Sequence, residues 1–430
     1  MTAPAAQTTG ASGAPPATTV PRLLPRQPIP DLASHLARFG PLAVRGRSLI
    51  AEVERAGLRG KGGAGFPTAV KMAAVAGRKG RHTVVVNATE GEAASGKDKA
   101  LLQSVPHLVL DGAVLAAAAV GAKDVIVCVE RAATAAATVM ESAIEDRNRF
   151  GHDRVGLRLE RTPSRYVAGE ESALVHWLNG GEAKPTFVPP RPFERGVAGR
   201  PTLVDNAETL AHVALIGRYG APWFRAVGTV DEPGTTLVTV SGAVGHPGVY
   251  EHPLGASFDR VLDAAGAVPG DVTAVLVGGY FGTWIPAAKI GGLQLSRTSL
   301  AAANASLGAG VVVALPRQVC GLAESARVAR WLANESAGQC GPCVFGLAAI
   351  ADAMAQLVAG RAARRPEADL RRWLGLVKGR GACKHPDGAA RFVETALLVF
   401  AEEIASHRSH GPCSRSRYTV LPLPAGGAWR

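Results

Sequence analysis

Two cysteines spaced by two residues, Cys340 and Cys343 in the stretch ESAGQCGPC, present thiols at the spacing used by metal and iron–sulfur sites. Such sites want four donors. Cys383 follows in GACKHPDG, with His385 two residues beyond it. A second chemistry is signalled by GLRGKGGAGFPTAVKM, 57–72, where glycines at 57, 60, 62, 63 and 65 crowd ahead of a helical pattern. Glycine lets a backbone approach a ligand closely and take positive φ. The N-terminus of the following helix offers free N–H groups to a phosphate, and Lys61 and Lys71 add charge. The loop has no GKS or GKT and does not directly follow a strand as GxGxxG, so neither common nucleotide fingerprint applies. A plain flexible glycine loop is the alternative account.

Carboxylates complete the set. NATEGEAASGKDK, 87–99, puts Asn87, Glu90 and Glu92 just past an apolar run, where α/β proteins bind ligands. YVAGEES, 166–172, places Gly169, Glu170 and Glu171 where an extended run gives way to a helix. KPTF, 184–187, and PTLVDNAETL, 201–210, follow. Each also has a purely structural reading. Acids at 170 and 171 suit a helix N-terminus, and Asp205 with Glu208 reads as a capping box.

The elements that must position these residues change in texture along the chain. Residues 1–25, rich in Ala, Thr, Pro and Gly, read as a disordered tail with neither the basic start nor the apolar core of a signal peptide. RSLIAEVERAG (47–57) has helical period. TVVVNA (83–88), DVIVCVE (124–130) and VGLRLE (155–160) read as buried parallel strands, alternating with Ala-rich helices at 107–121 and 132–145. Around 235–318, alternation and the Gly-His-Pro-Gly turn suggest a hairpin, a short helix at 257–265 and a strand at 273–279. Helical stretches at 320–336, 344–358, 366–378 and 388–407 suggest a four-helix bundle, with Cys340 and Cys343 in its first loop. The expected division is 1–30 tail, 31–230 α/β, 231–318 β-rich, 319–407 helical, and 408–430 a loose Pro/Gly/Arg-rich tail.

Length and composition agree with several domains: 430 residues, 47% hydrophobic, 5% aromatic. The net charge of +12 has no compact Lys/Arg run or aromatic interleaving behind it, so nucleic-acid binding is not expected. A basic surface facing an acidic protein or an anionic cofactor is. Six cysteines do not make a disulfide-stapled secreted chain. The best membrane candidate, 107–122, is short and contains Asp111, which points to a buried helix and a cytoplasmic protein with no membrane insertion. Cys128 and Cys320 read as core thiols.

Taken together and in order, these motifs resemble the flavin- and NADH-binding subunit of respiratory complex I (the 51 kDa-type subunit) and related soluble diaphorase subunits, over residues 45 to 405 or so. The resemblance implies a Rossmann-like α/β domain holding FMN with NADH stacked on it, a small β-grasp domain of the soluble-ligand-binding type, and a helical bundle with a [4Fe–4S] cluster. It implies that Gly60, Gly62, Gly63 and Gly65 cradle FMN with Lys71 near the phosphate. Asn87, Thr89 and Glu90, with Tyr166, Gly169, Glu170 and Glu171, fall on the flavin and nicotinamide face. Phe66, Glu92, Lys184 and Phe187 surround the dinucleotide, and Val204, Asp205 and Asn206 lie on the far side of FMN. Glu92 and Glu171 could fix the carboxamide or ribose hydroxyls, and they disfavour a 2′-phosphate, which argues for NADH. Phe66 and Phe187 could stack on adenine.

The chain departs from the family at the cluster. Residue 337 is Ala where the family has the first cysteine, which leaves Cys340, Cys343 and Cys383. His385 is the first candidate for the missing ligand and Cys413 the second. Three thiols alone could hold a [3Fe–4S] centre or an open-iron cluster. A Cys₃His zinc site and an empty site are the other outcomes. Thr89 replaces an acid, and Ala74 stands where an aromatic is often found. The expected function is an NADH:acceptor oxidoreductase that passes hydride to FMN and single electrons to an iron–sulfur centre. Its partner is then a separate ferredoxin-like, acidic carrier or another subunit. The alternative is a redox-silent scaffold or nucleotide-sensing relative.

Overall fold

The computed structural model describes residues 18–360 and 366–430; residues 1–17, most of the expected tail, lie outside them. Strands β1 (His82–Ala88), β2 (Ala122–Glu130), β3 (Gly156–Thr162) and β4 (Thr202–Asn206) form a parallel sheet in the order β3-β2-β1-β4. Their near-continuous apolar runs follow from helices on both faces. Val84, Val86, Val125 and Val127 join the large core shared with helices Ser48–Ala56, Pro106–Val120 and Ala207–Arg225. Val85, Ile126, Cys128 and Val204 face the other way, packed with Leu174 and Val175 of helix Glu171–Leu178. In the Ala-rich helix Pro106–Val120 every residue but Ala118 is buried. It approaches helix Ala207–Arg225 so closely that a Cβ on Gly112 would lie 1.8 Å from the Leu210 carbonyl oxygen, which restricts that position to glycine. Beside this crossing, buried Asp111 accepts hydrogen bonds from His35, Arg147 and Arg218, and these partners hold its carboxyl down at about 2 against the opposing effect of burial.

A second, mixed sheet contains β5 (Thr235–Gly242), β6 (Gly248–Pro253), β7 (Val272–Val277), β8 (Thr283–Pro286) and β9 (Val311–Pro316), in the order β6-β5-β9-β7-β8. The hairpin expected at Gly-His-Pro-Gly is the β5–β6 turn. Strand alternation divides this sheet between two cores. Val312 and Ala314 pack with Phe258 and Val261 of helix Phe258–Ala264. Val311, Val313 and Leu315 pack with the C-terminal helices.

Those helices are Gly321–Asn334, Ala348–Val358, Pro366–Val377, His385–Val399 and Ala401–His410. Two details differ from the expectation. The helix expected over 388–407 begins at His385 and breaks at Phe400, whose ring is buried against Trp284 and stands where a Gly321 side chain would be. The helix expected from 344 is preceded by a wide π-type turn, Pro342–Leu347, that carries Cys343.

The chain ends also differ. Within 18–30, backbone N–H groups of Arg22, Leu23 and Leu24 all donate to Glu251 Oε2, and Leu23 is fully buried. The 408–430 segment is a strap rather than a loose tail. Val420 N–H donates to Glu324, Tyr280 Oη to the Pro422 carbonyl, Trp331 Nε1 to that of Pro424, and Ala183 N–H to that of Trp429. Its composition lacks any helical or strand period, but its carbonyls satisfy aromatic donors of other elements, buried Tyr280 and half-buried Trp331. Among the described residues no single helix is long and apolar enough to cross a membrane.

Candidate functional site

The ends of β1 and β4 sit side by side, with Asn87 paired in register with Asn206. The glycine loop folds over them. Gly60 N–H donates to the Phe66 carbonyl and Thr68 N–H to that of Leu58, which closes the loop on itself. Gly63 and Gly65 take φ of 115° and 61°, and a Cβ on Gly62 would lie 3.4 Å from Asn206 Cβ. The loop backbone is therefore bare and close to the strand ends. Helix Thr68–Ala76 begins at Pro67, with no side chain capping it, and Thr68 Oγ1 is buried without a partner. Lys61 does not face the loop: its Nζ donates to the Thr235 carbonyl at 2.9 Å and ties the loop to the second sheet.

Under the loop, Lys71 Nζ donates to the Val204 carbonyl and pairs with Glu171 at 3.0 Å. Burial alone would lower the lysine's pKa, but Asp205 and Glu171 outweigh it and raise it. Asp205 is buried, and burial pushes it up to about 6 against the pull of Lys71. Its Oδ2 has no hydrogen-bond partner among the described residues. The capping box expected from Asp205 and Glu208 is not formed. Asn206 caps helix Ala207–Arg225 by accepting from Glu208 N–H, while the Glu208 carboxylate turns to Lys97 and the Leu237 N–H. Asp205 is thereby left outside the helix with a spare acceptor.

The other predicted residues divide by task. Glu90 accepts from Asp98 N–H, Lys99 N–H and Ser95 Oγ, so it caps helix Lys97–Ser104. Glu170 accepts from Ser172 N–H and Ala173 N–H, so it caps helix Glu171–Leu178. Asn87 Nδ2 donates to the Gly169 carbonyl, and a Cβ on Gly169 would strike the Thr89 carbonyl oxygen at 2.6 Å. Thr89 Oγ1 meets Thr162 Oγ1 at 3.1 Å. These residues set the shape of the strand ends.

Glu92 is shared by two elements. Its Oε2 accepts from Tyr166 Oη at 2.9 Å and from Tyr280 N–H, beyond β7, at 2.9 Å. Loss of hydration pushes it up to about 7, although those donors oppose the shift. Tyr166 in turn packs edge-on against Phe281, Trp331 and His385. It thus spans from the Glu92 carboxylate to the thiol-bearing region. Phe66 and Phe187 are 53% and 77% exposed, which leaves two aromatic faces free for stacking. Lys184 pairs with Glu182 and lies 5.4 Å from the Trp429 ring.

Between the glycine loop and the second sheet lies a solvent-open cleft, with Arg59, Lys97, Ser296 and Arg297 on its walls. Arg59 and Lys97 lie within the 57–72 and 87–99 stretches, where nothing singles them out. Ser296, Arg297, Tyr280 and Trp429 carry no local motif, because each reaches the site through tertiary packing.

Cys340, Cys343 and Cys383 line one cavity together with Ala337, Gly338 and His385. Cys340 Sγ accepts from Ala382 N–H at 3.4 Å. Burial and the neighbouring thiols push Cys343 up to about 12, so a bound cation is what would make it a thiolate. His385 is buried, its Nε2 donates to the Leu332 carbonyl at 2.8 Å, and its Nδ1 has no partner. Burial holds the ring neutral, at about 4. The donor set therefore fits a group held by three thiolates, with one imidazole nitrogen to spare. The three thiols do not gather within 4.8 Å of one another, as donors around a single ion do. Cys413 is absent from this cavity; it meets Cys320 and His407 instead.

Residues 53–215 match the Nuo51 FMN-binding domain, and 323–407 match the NADH-ubiquinone oxidoreductase-F iron-sulfur binding region. The second of the NADH-quinone oxidoreductase F subunits of Rhizobium meliloti (strain 1021) is 32% identical over 374 residues, covering 84% of this chain and 89% of that one. The NADH-quinone oxidoreductase F subunit of Streptomyces coelicolor is 31% identical over 383 residues, covering 86% and 85%. Among solved structures, an NAD+-reducing [NiFe]-hydrogenase in the air-oxidized state superposes with a TM-score of 0.78 at 33% identity, covering 88% of this chain and 64% of that one. This chain therefore spans less than two thirds of that hydrogenase chain.

Proposed function

The chain belongs to the family of NADH-quinone oxidoreductase F subunits, and from that premise we propose that it takes hydride from NADH onto bound FMN and passes single electrons through an iron–sulfur centre to a partner. FMN supplies the step from two-electron to one-electron chemistry. The protein's own residues supply binding, orientation and charge.

The observation that carries the reading is the confluence at the ends of β1 and β4: buried Asp205, with an unpartnered Oδ2, beside the Lys71–Glu171 pair under a bare glycine loop. In this reading the backbone of Gly60, Gly62, Gly63 and Gly65 and the uncapped helix at Thr68 receive the phosphate, with Lys71 near it. Asp205 Oδ2 accepts from the ring system, with Val204 and Asn206 beside it. Asn87, Thr89, Glu90, Gly169 and Glu170 hold the pocket's shape. Glu92 and Glu171 bind amide or hydroxyl donors of NADH, Tyr166 fixes Glu92, Phe66 and Phe187 stack on adenine, and Lys184 meets the dinucleotide phosphates.

The thiols of Cys340, Cys343 and Cys383 would hold the cluster, and His385 would be its fourth ligand through Nδ1. Ala337, with Thr89 and Ala74, is what favours a redox-silent relative; retained iron with a flavin that NADH bleaches would exclude it. The partner is assigned as an acidic, ferredoxin-like carrier or subunit, complementing the net charge of +12. The reading places the chain in the cytoplasm, where thiols stay reduced. The test is flavin retention: full-length protein incubated with FMN and desalted should keep about one flavin per chain, and Asp205→Ala should lose most of it. A wild-type chain that keeps none would overturn the reading.

A further inference from the structure

Cys320, His407 and Cys413 come from three separate elements. Cys320 is the N-cap of helix Gly321–Asn334, His407 lies in helix Ala401–His410, and Cys413 follows that helix. Their ligand atoms all lie within 4.8 Å of one another. Cys320 and His407 are fully buried and Cys413 is half-buried. None of the three lines the cavity of Cys340, Cys343 and Cys383.

The histidine is oriented for ligation. His407 Nδ1 lies 2.9 Å from the Val358 carbonyl, to which only an N–H can donate, so the proton sits on Nδ1 and the lone pair on Nε2. That Nε2 is 3.7 Å from Cys320 Sγ and accepts from Cys413 N–H at 3.2 Å. Around the group, Cys320 Sγ donates to Glu403 Oε2 at 3.2 Å, and Cys413 Sγ lies 3.4 Å from Ser416 Oγ. Glu403 is itself held by Leu322 N–H and Arg415, so its carboxylate is fixed against the thiol.

We propose that Cys320, His407 and Cys413 bind one Zn²⁺ ion at a site distinct from the iron–sulfur cavity. Two thiolates and a neutral imidazole with a backbone-bonded second nitrogen are a donor set that zinc takes in preference to hard cations. Binding replaces the two thiol protons by the ion, releasing two protons, and Nε2 exchanges the Cys413 N–H for the metal. The fourth position is left to water or the Ser416 hydroxyl. The site staples the start of the C-terminal strap to the bundle. That strap ends at Trp429, whose ring lies 4.2 Å from the Arg165 guanidinium and 5.4 Å from Lys184 Nζ.

The test uses full-length protein purified anaerobically with FMN, iron and sulfide supplied, then loaded with Zn²⁺, desalted and assayed for metals by mass spectrometry. The expected result is about one zinc per chain in the wild type and in Cys340→Ser, with roughly a tenfold or greater loss in Cys413→Ser and in Cys320→Ser. Cobalt(II) loaded instead should give a sulfur-to-metal charge-transfer band that disappears in Cys413→Ser. Cys413 is partly exposed, so unchanged FMN content in that variant checks that the fold is intact. Any of three results would overturn the proposal: no zinc held by the wild type, zinc held by Cys413→Ser but lost from Cys340→Ser, or recovery of Cys320 and Cys413 as a disulfide.

Discussion

The pocket at the ends of β1 and β4 and the thiol cavity are built differently. At the ends of β1 and β4, most polar side chains already hold the backbone: Glu90, Glu170 and Asn206 each cap a helix, and Asn87 anchors Gly169. In the thiol cavity, Cys340 has one long hydrogen bond and His385 keeps a free nitrogen. The first site is therefore made of the same bonds that fold the domain, whereas the second keeps its donors largely apart from them. Damage to the first should cost stability and flavin together. Damage to the second should cost metal alone.

The largest effect that could break this comparison is on iron. Cys343→Ser leaves two thiols and is expected to lose more than about tenfold of the bound iron while FMN content and melting temperature stay unchanged. A matching loss of flavin would show that the two sites are not separable. Next is Glu171→Gln, which removes the charged partner of Lys71. Stopped-flow bleaching of the flavin by NADH should slow by roughly 10- to 100-fold, the equivalent of about 1.5–3 kcal/mol for a charged hydrogen bond. An unchanged rate would remove Glu171 from the machinery.

A smaller effect addresses the fourth ligand. His385→Ala should lower iron content several-fold in the wild type but not in an Ala337→Cys background, where a thiol has returned. Equal losses in both backgrounds would mean that His385 acts through packing rather than ligation. Smaller still, Glu170→Ala should cost about 1 kcal/mol of stability by chemical denaturation, through the lost helix cap, and weaken flavin retention with it. Flavin loss at full stability would contradict the shared-bond account.

A further effect, read separately from these losses, is a pH slope. Burial raises Glu92 from an ordinary 4.5 to about 7, so between those values the folded chain binds a proton that the unfolded chain does not. Stability attributable to Glu92 is therefore greatest below about 4.5, falls as pH rises to about 7, and is flat beyond. Denaturation curves of Glu92→Gln should lack that slope; an unaltered slope would place its origin elsewhere.

The parallel sheet was legible because buried strands such as TVVVNA have no polar alternation, and the thiol loop because its donors are adjacent in sequence. What was not legible arises at a distance. Asp205 reads as a cap from local spacing, yet Asn206 takes that role because β4 runs one residue further. The break at Phe400 depends on a ring finding Trp284. Cys320 reads as a core thiol and Cys413 as a remote candidate for the cluster. Only the packing of helix Ala401–His410 against the start of helix Gly321–Asn334 brings both to His407. The strap 408–430 carries no period at all, and its order comes from donors on other elements.

The most direct test of the central claim is an anaerobic titration of FMN- and iron-loaded protein with NADH, followed by visible absorption and low-temperature electron paramagnetic resonance. The account predicts that substoichiometric NADH bleaches the flavin band and brings up the signal of a reduced iron–sulfur centre, both lost in Glu171→Gln at short times. A flavin that NADH leaves oxidised in fully loaded protein would contradict it.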